Sequence, residues 1–358
     1  MPDRVLFVSY SPALGGAERI LVDLASDVTG EVVLAAPPGP LAEAAGAAGL
    51  RLVPLRARSL ELRARPRDRA AAPPRLLGLA RELRETLAAL RPRLVVAWNM
   101  RALLASVPAL ASVRPRPPLV FQHNDLLPGP AIGAAVRTAA RRARLTVCLS
   151  RAIARDLDPG GRLGRVEVLP AGVDLERFAP APGAAGEVLV LGAIEPWKRP
   201  ELALEIAARV PELRMRLAGA PVGAAGEALR ARLGERVRRP DLAGRVELVG
   251  PLADPLPALQ GAAALLHCAD REPYGLALVE ALACGVPVVA PAAGGPLEIV
   301  GEGGRLYPPG DAAAGALVLR DVLARRDQLG AAARRRAEAH FDRERARRRY
   351  RELLATAA

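Results

Sequence analysis

Two glutamates, Glu272 and Glu280, stand with seven residues between them in DREPYGLALVEALACGVPVVAP, residues 270–291. Paired carboxylates repel an anion, but each accepts hydrogen bonds from hydroxyls, which sugars offer in quantity. The turn Pro273–Gly275 is expected to open a helix near Tyr274, with Glu280 about two turns in. Its exposed amides would favour an anion. A second stretch, AIEPWKRPEL (193–202), holds Lys198, the single lysine among 51 basic residues. A compact ammonium in a strand-to-helix turn can meet phosphate oxygens as a point charge. SPALGGAER (11–19) places Gly15 and Gly16 between a strand and a helix, where backbone amides can approach a ligand closely. The spacing is not that of the dinucleotide fingerprint. FQHND (121–125) ends an apolar run with His123, one of three histidines.

These residues need elements to carry them. RVLFVSY, EVVLAAP, RLVPL, RLVVAWN, PLVFQHN and RLTVCLS read as strands. Helix-like segments such as AERILVDLASDV and PRLLGLARELRETLAAL separate most of them. PAPGAAGE (180–187) interrupts the alternation, which restarts with VLVLGA, LRMRLAG, RVELVG, ALLHCA and VPVVAP. The pattern predicts an α/β chain with two Rossmann-like, doubly wound parallel sheets. The expected domains are residues 1–180 and 181–340, followed by a helix, 341–358, packing back on the first domain. Open parallel sheets bind ligands beyond the carboxyl ends of their strands. Two such sheets would face an interdomain cleft, and every turn singled out above follows a strand.

Composition agrees with this class: hydrophobic residues make up 51% of the chain and aromatics only 3%. Cys148, Cys268 and Cys284 lie in apolar runs without metal-ligand spacing, so buried, reduced thiols and a cytoplasmic protein are expected. No apolar run is long enough to cross a bilayer. The net charge of +13 is concentrated in residues 1–180, with 26 arginines against 16 acids. The basic stretch 51–77 suits an anionic membrane surface or a phosphorylated acceptor. Nucleic acid is not expected, because zinc-finger spacings, interleaved aromatic and basic residues, and basic heptads are all missing.

The two-glutamate stretch, with YGL between and EALACGVPVVAPAAGGPLEIV after, resembles the signature of family-4 retaining glycosyltransferases. GGAER, LSRAIARDL, LPAGVDLERF, KRPELALEIA, VELVG and GGRLYPPGD follow in the family's order through nearly the whole chain. The resemblance implies a GT-B fold and transfer of a sugar from a nucleotide-diphosphate sugar to a hydroxyl of a glycan, lipid-linked or small-molecule acceptor. It implies neither metal nor other cofactor. Residue by residue, it places Glu280 on the donor ribose, Glu272 beside the transferred sugar, and Lys198, with Arg199 adjacent, on the diphosphate. The Gly275 and Leu276 amides would hold the diphosphate or sugar. Gly15 and Gly16 would form the phosphate and acceptor loop, and His123 would lie near the sugar and the attacking hydroxyl. Two positions depart from the family. Ala193 stands where an arginine is usual, which leaves Arg199 or Arg271 to supply that charge, and Ala171 stands for an asparagine. A non-catalytic sugar- or nucleotide-binding relative and a nucleotide-sugar epimerase share this architecture.

Overall fold

The computed structural model describes residues 4–56, 72–181 and 186–358. Most of the basic stretch 51–77 thus lies outside the described residues. The chain forms two compact units, one of residues 1–170 with 346–358 and one of residues 171–345.

The first unit holds strands β1 (Arg4–Val8), β2 (Glu31–Ala36), β3 (Arg51–Pro54), β4 (Leu94–Trp98), β5 (Leu119–His123), β6 (Leu145–Cys148) and β7 (Val166–Val168). They form one parallel sheet in the order β3-β2-β1-β4-β5-β6-β7. Phe7 of β1 is in register with Leu34 of β2 on one side and Val96 of β4 on the other. Helices cover both faces of such a sheet, so its central strands are apolar at every position rather than at alternate ones. All five residues of β4 and of β5 are buried. In the first helix, Gly16–Ser26, Ile20, Leu21, Leu24 and Ala25 make the buried stripe.

The second unit holds β8 (Val188–Leu191), β9 (Met215–Ala218), β10 (Val246–Gly250), β11 (Ala264–Leu266), β12 (Val288–Pro291) and β13 (Gly304–Tyr307). These are also parallel, in the order β10-β9-β8-β11-β12-β13. Leu265 of β11 is in register with Leu189 of β8 and Val288 of β12. In each sheet the direction of winding reverses once, between β1 and β4 and between β8 and β11. At such a reversal the turns leaving two adjacent strands diverge to opposite faces and open a crevice at the carboxyl end.

The sequence reading missed two strands. β7 is a three-residue edge strand with no fully buried residue, and β13 carries a glycine and an arginine. Neither makes an apolar run. The helix expected from Tyr274 begins at Leu276, so Glu280 is its fifth residue, little more than one turn in.

The units divide at Pro170 rather than at the Pro/Gly-rich stretch from residue 180. Residues 171–181 are packed into the second unit. Val173 N–H donates to Phe341 O at 2.8 Å, and Arg343 N–H returns to Val173 O at 3.1 Å. A Cβ on Gly172 would fall 2.4 Å from Arg343 Cα. The Arg334 guanidinium donates to the carbonyls of Leu175, Phe178 and Ala283.

The last helix, Arg343–Ala357, contributes its length from Ala346 onward to the first unit. Tyr350, Leu353 and Leu354 are buried. Arg347 Nη2 meets Asp23 Oδ1 at 2.5 Å, and Arg351 pairs with Asp27. No helix among the described residues is long and apolar enough to cross a membrane. Cys148, Cys268 and Cys284 are free and buried.

Leu353→Ala should lower the stability of the first unit by about 2–5 kcal/mol, the usual cost of a buried leucine. Hydrogen exchange should show the loss in β1–β7 and not in β8–β13. Equal loss in both sheets would separate this helix from the first unit.

Candidate functional site

In the second unit, the turns leaving β8 and β11 meet at the winding reversal. After β8 the chain forms a single 3-10 turn, Pro196–Lys198, then passes through Arg199 into the helix Pro200–Ala208. Arg199 has φ 51°, a left-handed conformation uncommon for a side chain other than glycine. Lys198 Nζ meets Glu272 Oε2, from the turn after β11, at 2.5 Å. The ammonium also sits 4.0 Å from the centroid of the Trp197 ring, whose Nε1–H donates to Glu195 Oε2 at 2.9 Å. The adjacent Arg199 pairs with Asp270. Consecutive cations thus tie one turn to two acids of the other.

Glu272 is only 6% exposed. Burial alone would raise its pKa, but the His267 ring beside it and the Lys198 ammonium outweigh that and hold it down at about 2. It is therefore an ionised, buried acceptor. Gly294 and Gly295 let the chain pass directly beneath its turn: Gly295 N–H donates to Glu272 O at 2.8 Å, and a Cβ on Gly295 would lie 2.1 Å from Tyr274 O.

Gly275, at φ 107°, starts the helix Leu276–Ala283 without a side-chain cap. The Gly275 and Leu276 amides make no hydrogen bond among the described residues. They remain available to an anionic or hydroxyl oxygen. Glu280 is buried on the same helix. Tyr274 Oη–H donates to Ala171 O at 2.6 Å. At the position where the family usually has asparagine, the backbone carbonyl does the anchoring, and no side chain is needed for it.

Of the two arginines expected to replace the charge missing at Ala193, Arg199 is engaged by Asp270. Arg271 is exposed and makes no ion pair among the described residues.

The first unit carries the other three predicted residues. Gly15 caps the helix that follows β1 and Gly16 is its first residue, but the Gly15 amide donates to Glu18 Oε2 at 3.2 Å. The protein thus supplies its own carboxylate at this helix N-terminus, as in half of a capping box. His123 ends β5, fully buried, with its ring stacked on Phe121 at 5.0 Å between centroids. Neither ring nitrogen has a hydrogen-bond partner among the described residues. Burial pulls its pKa down to about 3, so the ring is neutral at neutral pH. A neutral imidazole suits a hydroxyl better than a phosphate.

The structure therefore brings Lys198, Arg199 and Glu272 into one cluster beside the Gly275 and Leu276 amides, whereas Gly15, Gly16 and His123 belong to the other unit. Sequence reasoning missed His267, Asp270, Trp197 and Glu18. Glu18 carried a legible signal, an acid three residues after the cap position. His267 did not, because it prolongs an apolar strand. No group of three or more His, Cys, Asp or Glu side chains suited to a metal occurs among the described residues.

Both halves of the chain are matched by family models. Residues 14–177 match Glycosyltransferase Family 4, and residues 176–339 match Glycosyl transferases group 1. The chain belongs to this glycosyltransferase family. Among solved structures, Anabaena HepE in complex with UDP-glucose superposes with TM-score 0.84 at 23% identity over 99% of each chain. Sucrose-phosphate synthase of Thermosynechococcus elongatus does so with TM-score 0.83 at 21% identity, over 99% of this chain and all of that one. These likenesses establish the GT-B fold. Among curated relatives, D-inositol 3-phosphate glycosyltransferase of Geodermatophilus obscurus is 40% identical over 198 residues, 49% of this chain and 44% of the relative. That of Kineococcus radiotolerans is 36% identical over 217 residues, 50% of this chain and 49% of the relative. The chain spans about half the length of the curated relatives it matches.

Between pH 6.5 and about 3 the unfolded chain binds a proton at His123 that the folded protein excludes. The stabilisation from the buried neutral ring is complete above the unfolded value and drains away as pH falls toward the folded one. In His123→Gln the decline of unfolding free energy below pH 6.5 should be shallower by one proton, roughly 1.4 kcal/mol per pH unit. Denaturant titrations across this range measure it; identical slopes would mean that the folded ring takes up protons freely.

Proposed function

We propose that this protein is a retaining glycosyltransferase that moves a sugar from a nucleotide-diphosphate sugar to a hydroxyl acceptor without a metal ion. The observation that carries the reading is the cluster at the reversal between β8 and β11. There an ammonium, an ionised carboxylate and two unengaged helix-terminal amides lie together within the family-matched segment. In this reading Lys198 and the Gly275 and Leu276 amides take the diphosphate. Glu272 accepts from a hydroxyl of the transferred sugar, and Glu280 accepts from the ribose hydroxyls. Gly15, Gly16 and His123 serve the acceptor side, where a neutral His123 ring suits a hydroxyl better than a phosphate. Arg199 acts through its pair with Asp270, which fixes the turn bearing Lys198.

Transfer breaks the bond between the anomeric carbon and the phosphate oxygen and forms one to the acceptor oxygen on the same face. The acceptor's proton passes to the departing phosphate oxygen. Negative charge grows on the diphosphate as the bond breaks, so a preorganised cation there stabilises the transition state more than the bound donor. The names of the curated relatives make D-inositol 3-phosphate the first acceptor to test, and UDP-glucose is the first donor. Cytoplasmic residence and contact of the basic stretch 51–77 with an anionic membrane belong to the same reading.

A thermal-shift panel of nucleotide sugars tests donor binding, since a ligand that binds only the folded state stabilises it. Proton NMR of the product then reads the anomeric configuration, and inversion would refute retention. Lys198→Ala should lose about a hundredfold in kcat, with a smaller change in donor affinity. Lys198→Arg should recover only part, because a planar fork places its charge differently. Near wild-type turnover in Lys198→Ala would remove the lysine from the chemistry. Glu280→Ala should weaken donor binding by roughly 1.5–3 kcal/mol for each charged hydrogen bond lost. Unchanged affinity by calorimetry would remove Glu280 from the ribose.

A further inference from the structure

The turn that presents Glu272 has a second buried neighbour with no role in the reading above. His267 continues directly from β11 and is 8% exposed. Its backbone is held on both sides: the N–H donates to Val289 O at 2.8 Å, and the carbonyl accepts from Tyr307 Oη–H at 2.9 Å. Tyr307 is itself buried on β13. The ring is therefore mounted on the rigid centre of the sheet. Its Nε2 is buried, has no hydrogen-bond partner among the described residues, and stands 3.3 Å from Glu272 Oε2. That is the same oxygen that Lys198 Nζ meets at 2.5 Å. Oε1 makes no hydrogen bond among the described residues.

Lysine alone fixes a carboxylate poorly. Its ammonium donates in any of three directions from a flexible stem, so the carboxylate can turn and exchange its two oxygens. A planar ring on a fixed strand, donating to one of those oxygens, removes that freedom. We propose that His267 is a positioning residue for Glu272: its Nε2–H shares Oε2 with Lys198 and leaves Oε1 to accept a hydroxyl of the transferred sugar. This rests on the nucleotide-sugar reading above. It also explains how one carboxylate can neighbour the diphosphate cation and still serve the sugar, because His267 prevents both oxygens from closing on Lys198.

The role separates the sugar from the rest of the donor, and calorimetry with UDP-glucose and with UDP measures that separation. GDP-mannose and GDP replace them if the wild-type protein prefers guanine. His267→Leu should weaken UDP-glucose binding by about tenfold while leaving UDP unchanged. His267→Gln, whose amide N–H can reach the same oxygen, should restore part of the loss. His267→Ala is carried alongside, so that a folding defect in one variant leaves the comparison intact. Equal losses for UDP and UDP-glucose, or no loss for either, would overturn the inference and leave the nucleotide-sugar reading standing. A wild-type protein that binds neither pair would overturn that reading and the inference with it.

Discussion

The site depends on keeping a carboxylate charged where burial favours its neutral form. Glu272 has little water around it, and desolvation alone would make it hold its proton. The protein offsets that cost with one partner from another strand end, Lys198 after β8, and one from the foot of its own turn, His267 directly after β11. Those partners converge only because β8 and β11 are neighbours in the sheet, although Lys198 and Glu272 are 74 residues apart in sequence. The order of strands is therefore an electrostatic requirement as well as a packing solution. The glycines at 294 and 295 meet the steric side of the same demand, since a side chain at either position would collide with the backbone of the turn.

Much of this could be read in the sequence because buried parallel strands are written as unbroken apolar runs, and the polar residues that end them mark the working edge. His123 and Lys198 stood out in that way, as did Glu272 in the turn after β11. β7 and β13 did not, because one is a short, half-exposed edge and the other carries Arg305 between small and apolar residues. Pairings across the sheet were equally hidden. Nothing local announces that Arg199 engages Asp270, whereas the fold-back of Glu18 onto the Gly15 amide, three residues away, did leave a local signal. The division of the chain was obscured for a related reason. Proline and glycine near residue 180 signal a break in secondary structure, whereas the unit ends where hydrogen bonds to Phe341 and Arg343 begin.

The two departures from the family pattern have different physical meanings. At Ala171 the useful group is the carbonyl, which accepts from Tyr274, so the side chain can be small. At Ala193 a cation is missing, and the neighbouring Arg199 is already committed to an acid. Arg271 is the one exposed cation in the turn that carries Glu272. The electrostatic burden falls more heavily on one ammonium than it would with two cations side by side.

That ammonium also gives the chain an unusual chemical address. Because Lys198 is the single lysine, reagents selective for primary amines meet only this side chain and the amino terminus. Reductive methylation with isotopically labelled formaldehyde would therefore place one reporter group between the Trp197 ring and the Glu272 carboxylate. Ring currents shift a methyl resonance over an indole face, and loss of the nearby carboxylate contact would shift it again. A chain of 358 residues would thus report on its site through a single side-chain signal, without any engineered cysteine or unnatural amino acid.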